Sequence, residues 1–278
     1  MLEIKPIETL EVINELKKQY FEKSTAPLDG MWHFGFVPIS SHFGFYEDDT
    51  LVGYCCIDGD GYMLQFYLSQ AAQTKAKELF TLITEQNSSV IGSIKGAFVS
   101  TAEPYYLSLC LDNSSSFKIN ALMYQQVTPF VSANVTSLDI TLARQEQLAE
   151  FVEFAVSNIG APRQWLSEYF SNLIKREELR GYWRDGKLIA TGECRLFDEH
   201  QTQYADLGMI VAESERGQGI ATRVLNSLVK VANEYGLIPI CSTESGNFSA
   251  QKAIQRAGFE PLNRIIQIEF DHQWSVNG

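Results

Sequence analysis

The sequence predicts an α+β protein made of two copies of one domain, each a mixed, mostly antiparallel central sheet flanked by helices. Three observations carry this. The length, 278 residues, suits two domains or one large one. Landmarks repeat at nearly half that length: the short strand opening Leu2-Glu3-Ile4 returns as Leu138-Asp139-Ile140, and the turn-and-strand Glu47-Asp48-Asp49-Thr50-Leu51-Val52-Gly53 returns as Arg184-Asp185-Gly186-Lys187-Leu188-Ile189-Ala190. Each half also reads strand, helix, helix or loop, hairpin, strand, helix, strand, helix or loop, strand, the order of a sheet with helices packed on it. The halves are taken as 1–132 and 133–278, joined by a polar stretch at 128–136 that contains Pro129.

The second half shows its elements most clearly. Residues 138–141 read as a strand and 144–158 as a helix. Residues 162–176 read as a second helix, with proline in its first turn. Strands at 179–184 and 187–196 form a hairpin through Asp185-Gly186, a strong turn pair. A strand at 204–211 precedes a helix at 220–235 whose apolar residues fall at 220, 224, 225, 228, 231, 232 and 235. Gly236 ends that helix. A buried strand at 238–242, a helix at 249–257 stopped by Gly258 and a strand at 264–270 complete the half.

Composition narrows the function. Hydrophobic residues make up 45% and charged residues 20%, as in a globular chain. The net charge of -12 argues against a nucleic-acid or anionic-membrane surface. No apolar run approaches the roughly 18 residues of a membrane span, and Met1-Leu2-Glu3-Ile4-Lys5 lacks the pattern of a secretory signal. Cysteines stand singly or adjacent, at 55, 56, 110, 194 and 241, so neither a disulfide framework nor a metal site is indicated and a reduced, cytoplasmic protein is expected. All ten arginines lie from Arg144 onward. Both halves are acidic, yet only the second owns guanidinium groups, the preferred binders of phosphate.

One motif carries chemistry: Val211-Ala212-Glu213-Ser214-Glu215-Arg216-Gly217-Gln218-Gly219-Ile220-Ala221-Thr222. It stands between an expected strand and an expected amphipathic helix. Free N–H groups at a helix start, with the helix dipole behind them, attract phosphate. Glycine lets the backbone curl closely around an anion, and Arg216 adds a charged donor. The string lacks the Gly-Lys-Ser/Thr of a Walker loop and the spacing of a dinucleotide fold.

The Arg-Gly-x-Gly-x-Ala string five residues after a strand valine resembles motif A of the GNAT N-acetyltransferase family. Downstream, Asn247-Phe248-Ser249-Ala250, Ala253 and Arg256-Ala257-Gly258-Phe259 resemble its motif B. The resemblance covers about 138–270. It implies acetyl-CoA as cosubstrate: Arg216, Gly217, Gln218, Gly219, Ile220, Ala221 and Thr222 cradle the pyrophosphate, the backbone of Met209, Ile210 and Val211 pairs with the pantetheine, and Asn247 lies along that arm. It implies transfer of an acetyl group to a primary amine of a small molecule or amino acid. A non-catalytic acyl-CoA sensor is the alternative, and a homodimer is compatible with both. The first half departs from the pattern. It has no glycine between Gly61 and Gly92, where its phosphate loop would fall, and no arginine. It reads as a degenerate copy without coenzyme.

Catalysis requires a neutral amine, hence a base, and N–H donors for the oxyanion. Glu193, mid-strand in Gly192-Glu193-Cys194, is either a desolvated carboxyl whose pKa burial would raise or an outward-facing strand carboxylate. Asp206, just before the coenzyme strand, is a second candidate base or a surface or capping carboxylate. Glu244 is a weaker candidate. The motif B position where the family often carries a tyrosine general acid is Ile254, which cannot donate. Ser249 offers the nearest hydroxyl in sequence. Cys241 reads as a small buried residue and His200 as a loop histidine. His33 and His42, among Trp32, Phe34, Phe36, Phe43 and Phe45, read as core packing or as an acceptor wall.

Overall fold

The computed structural model describes residues 2–127 and 137–271. The expected linker at 128–136 lies outside the described residues. The chain divides into two compact units: one holds the residues up to Ala121 together with those from Asn263 onward, the other Leu122–Leu262. The division differs from a cut at 132/133 because the end of the chain pairs with an early strand.

In the first unit, β1 (Leu2–Ile7), β2 (Ser41–Glu47), β3 (Thr50–Ile57), β4 (Tyr62–Leu68) and β5 (Gly96–Ser100) lie side by side in that order. The neighbours are antiparallel except β4 and β5. The last strand of the chain, β12 (Phe259–Phe270), lies antiparallel to β5, with Ile265 opposite Ser100 and Glu269 opposite Gly96. Helix α1 (Asn14–Glu22) puts Leu16 and Tyr20 against Tyr54 and Tyr67 on one face. Helices α2 (Ala76–Thr84) and α3 (Pro104–Asp112) put Leu79, Phe80, Ile83, Tyr106 and Leu109 into the core on the other.

The second unit takes the end of β6 (Ser114–Gln126) and then β11 (Ile238–Glu244), β10 (Tyr204–Val211), β9 (Lys187–Leu196), β8 (Leu179–Arg184) and β7 (Thr141–Leu142), in that order. Helix α6 (Ile220–Glu234) lies on one face, with Val224, Leu225 and Leu228 packed against Ile189, Ala190 and Leu207, and α7 (Phe248–Arg256) adds Ala253 and Ile254. Helices α4 (Leu148–Ile159) and α5 (Arg163–Lys175) cover the other face through Phe151, Phe170 and Leu173. The expected strand at 138–141 is reduced to Thr141–Leu142, because the Leu138 backbone bonds to the Ser227 side chain of α6 instead of a neighbouring strand.

The repeat is visible in backbone detail. The β2–β3 hairpin turns through Asp48 and Asp49 at φ 46° and 62°, the β8–β9 hairpin through Asp185 and Gly186 at φ 52° and 75°. These are left-handed pairs of the kind a two-residue hairpin needs. The register slips between Phe45 and Tyr46 in one hairpin and between Tyr182 and Trp183 in the other. Turns and bulges alike sit 137 residues apart. A bulge re-aims side chains, so its recurrence marks two copies of one blueprint. No helix among the described residues is long and apolar enough to cross a membrane.

Candidate functional site

Strands β10 and β11 start side by side and then part. They pair in parallel at Tyr204 with Ile238, Ala205 with Pro239 and Asp206 with Ile240. Beyond Asp206, β10 keeps its β9 partner, with Met209 opposite Gly192, Ile210 opposite Thr191 and Val211 opposite Ala190. Its other edge runs unpaired with β11 for five residues, roughly 16 Å at 3.3 Å per residue. Such an edge offers N–H and C=O groups to an extended, amide-bearing ligand.

The open edge leads to the loop. Gly217 and Gly219 have φ +81° and +76°, and a Cβ built at either meets no protein atom within 4 Å. Gly219 caps α6. The N–H groups of 217–222 meet no acceptor among the described residues, the pattern of an anion seat at a helix start. Arg216 is directed elsewhere: Nη2 donates to the Asn158 carbonyl at 2.9 Å and Nε to that of Val211 at 3.4 Å. Asn158 also accepts the Glu213 N–H on Oδ1 at 2.7 Å. Arg216 therefore pins the loop to the end of α4, and its Nη1 makes no hydrogen bond among the described residues. On α7, Asn247 Oδ1 caps the helix by accepting the Ala250 N–H at 3.1 Å, which leaves its amide N–H₂ free. These groups suit a ligand with phosphates at one end and amides along its length.

Glu193 and Asp206 come together around a residue that sequence reasoning missed. Arg195 Nε and Nη2 both donate to Asp206 Oδ2, at 3.2 and 2.7 Å, while Nη1 bonds Glu193 Oε2. The Tyr169 hydroxyl, from α5, donates to the same Oε2 at 2.7 Å and accepts from Arg195 Nη1 at 3.0 Å. Glu193, Arg195 and Asp206 are all buried. Strand periodicity puts Glu193 and Arg195 on one face, and β10 presents Asp206 and the bare backbone of Gly208 beneath them. A Cβ at Gly208 would meet Arg195 Nη1 at 2.9 Å. Burial opposes the Arg195 charge, but Asp206 above all, then Tyr169 and Glu193, holds its pKa well above the ordinary value. Burial likewise keeps the Tyr169 phenol protonated. Glu193 is thus neither outward-facing nor a lone desolvated carboxyl; it is a buried, paired carboxyl group whose Oε1 receives no bond among the described residues. Two carboxyl groups share one guanidinium in this cluster.

The remaining candidates fall elsewhere. Ile254 is buried in the α6–α7 core. Ser249 and Glu244 are exposed, and Cys241 is buried. Burial pushes the Cys194 thiol up to about 12, so its position beside Glu193 brings no nucleophile. Trp32 packs on Phe98 and His33 on Phe21 in the first unit, and His42 is buried with its pKa lowered by desolvation. Of that aromatic segment Phe45 is buried, Trp32, His33, Phe34 and Phe43 are partly buried, and Phe36 is exposed.

Known proteins agree with this arrangement. A model described as the acetyltransferase (GNAT) domain matches residues 9–127, and one described as the acetyltransferase (GNAT) family matches residues 144–259. Among solved structures, an acetyltransferase of the GNAT family from Colwellia psychrerythraea is 60% identical, with 97% of this chain and 100% of that chain covered at a TM-score of 0.91. A GCN5-related N-acetyltransferase from Sphaerobacter thermophilus shares the fold at 12% identity, 97% and 95% coverage and a TM-score of 0.63. So does a tandem GNAT protein from the clavulanic acid biosynthesis pathway, at 13% identity, 96% and 98% coverage and a TM-score of 0.59. A comparison with curated proteins gave no match. Matched by GNAT models in both halves and by a relative along nearly its whole length, the chain belongs to the GNAT acetyltransferase family as a tandem of two such domains.

Proposed function

We propose that the second unit transfers an acetyl group from acetyl-CoA to a primary amine of a small molecule or amino acid by direct attack. The observation that carries the reading is the open β10 edge ending at an open anion seat. Acetyl-CoA, when bound, supplies the acyl group as a reactive thioester. The N–H groups of 217–222 would hold its pyrophosphate, with Arg216 Nη1 as an added donor. The backbone of Met209, Ile210 and Val211 would bind the pantetheine arm and offer N–H donors where negative charge develops. Asn247 Nδ2 would donate along the same arm.

Glu193 is the proton acceptor in this reading, directly or through water. Its Oε1 receives no bond among the described residues. Asp206 spends one oxygen on both Arg195 N–H groups and acts as the anchor. A carboxyl oxygen that receives no bond gives the arriving amine's proton a destination. No hydroxyl stands at Ile254, so the thiolate leaves unassisted or through water, which an ordinary thiol pKa near 8.5 tolerates at mildly alkaline pH. The buried free cysteines suit a reducing compartment, and the cytoplasm is the proposed location.

The apolar Ile254 also favours a second reading, an acyl-CoA sensor without turnover. Screening thiol release from acetyl-CoA across amines and amino acids separates the two. Amine-dependent release is the expected result; coenzyme binding with no acceptor-dependent release selects the sensor.

A further inference from the structure

We propose that one repeat position, Arg184 in the second unit and Glu47 in the first, decides whether the neighbouring loop can accept a phosphate-bearing ligand. The proposal rests on the reading of 217–222 as a phosphate seat and adds the residue that keeps it open.

The positions correspond by register. Arg184 ends β8 opposite Lys187 across its turn, and Glu47 ends β2 opposite Thr50. The loops correspond through their helix caps, Gly219 for α6 and Lys75 for α2. The N–H groups one and two residues before the cap belong to Gln218 and Gly217 in one unit, to Thr74 and Gln73 in the other.

In the first unit an internal anion takes those donors. The Gln73 N–H donates to Glu47 Oε2 and the Thr74 N–H to Oε1, both at 2.8 Å. The Thr74 side chain, with these two N–H groups, holds the Glu47 carboxyl below its ordinary range. It is a carboxylate at neutral pH, sitting where a phosphate would.

In the second unit the charge is reversed. Arg184 Nη2 lies 2.5 Å from Glu215 Oε1, and Gln218 Nε2 donates to Glu215 Oε2 at 3.0 Å. Glu215 is the carboxylate nearest the seat in sequence. Held by Arg184, it leaves the N–H groups of 217–218 unbonded, and its repulsion of phosphate is offset by the adjacent guanidinium. Arg184 is a positioning residue that acts through Glu215.

The test uses inorganic pyrophosphate and the full chain, with amide hydrogen exchange followed over 70–76 and 216–222. In wild type, pyrophosphate should protect 216–222 and leave 70–76 unchanged. Arg184→Glu should weaken its binding on the order of tenfold, Arg184→Lys should keep most of it, and Glu215→Gln should restore it in an Arg184→Ala background. Arg184→Glu should raise the KM for acetyl-CoA without lowering kcat, while turnover of acetyl-pantetheine, which has no phosphate, stays at the wild-type rate. Glu47→Ala should let pyrophosphate protect 70–76. Wild-type affinity in a folded Arg184→Glu protein, or indifference of 70–76 in folded Glu47→Ala, overturns the proposal. Absence of protection over 216–222 in wild type removes the phosphate-seat reading itself, and this inference with it.

Discussion

Glu193 and Asp206 differ in their weight as partners of Arg195, and that difference is testable. Both Glu193 bonds land on Oε2, so its other oxygen can take a proton without breaking the cluster. Protonating Asp206 would instead strip Arg195 of its main counter-charge. Glu193→Gln keeps the shape and the Tyr169 contact but removes the proposed base; kcat should fall about 10²-fold or more while coenzyme affinity holds, as read by steady-state kinetics beside calorimetric titration. Unchanged kcat would move the base elsewhere. The two carboxylates were legible in the sequence because mid-strand acids among apolar neighbours stand out. Arg195 was not, although its spacing two residues from Glu193 hinted at a shared face. Its partnership with Asp206 spans the β9–β10 hairpin, and that with Tyr169 reaches a different element, so neither is local in sequence. The direction of the Arg216 guanidinium was equally hidden, since Asn158 lies far upstream.

At the scale of elements, the chain carries its own comparison. By register, Cys56 on β3, opposite Gln65, holds the place that Glu193 holds on β9, opposite Gly208. In the first unit that place is apolar: Cys56 packs with Val37, Leu64, Trp32 and Phe98. One blueprint thus accepts an apolar cluster where the second unit builds a charged one, so the charges are not required by the fold. A buried ion cluster is costly once a partner is removed and often replaceable as a whole. Arg195→Met alone should destabilise by about 3–5 kcal/mol in urea unfolding. Combining it with Glu193→Leu and Asp206→Leu should recover most of that loss, in a folded protein without activity. Equal loss in single and triple variants would make the cluster structural. The first unit has a different ionisable tie between elements, where the Tyr20 hydroxyl on α1 bonds Glu103 at the start of α3. Burial raises the Glu103 carboxyl to about 7, so the native state holds its proton where the unfolded chain, at 4.5, has released it. That proton's contribution is complete below pH 4.5 and lost as pH rises through 7, worth up to about 3 kcal/mol. Melting temperature should therefore fall between pH 5 and 7.5, and Glu103→Gln should flatten the fall. Hairpins and amphipathic helices were legible because turn pairs and periodicity are local. The strand at 138–141 was not, because a serine on α6 claims its backbone.

At the scale of the whole molecule, two copies of one fold raise the question of how many coenzymes a chain takes up. Fold alone does not answer it. Strands β4 and β5 also part early, pairing only at Tyr62 with Gly96 and Met63 with Ala97, so the first unit keeps the opening between strands. The repeat and the two units were legible from length and landmarks. The exchange of the chain's last strand into the first unit was not, since pairing of 265–269 with 96–100 leaves no mark in local pattern. The occupants of the first unit's opening decide the count. The place of Gly217 and Gln218 is held by Gln73 and Thr74, whose N–H groups are bonded to Glu47. The helix cap that is Asn247 on α7 is Glu103 on α3. Its carboxyl is buried, accepting from Tyr20 on one oxygen and from the Ser100 N–H on the other at 2.8 Å, so it lacks the free amide that Asn247 presents. A coenzyme entering there would have to displace a carboxylate from two N–H bonds and bring its own phosphates up to that charge. The second unit instead has unbonded N–H groups and a free asparagine amide. Calorimetric titration of the wild-type chain with coenzyme A should give a stoichiometry near one, with protection from amide exchange confined to the second unit's loop. A stoichiometry near two would mean that the Glu47 contact opens readily, and that the first unit still works as a coenzyme domain.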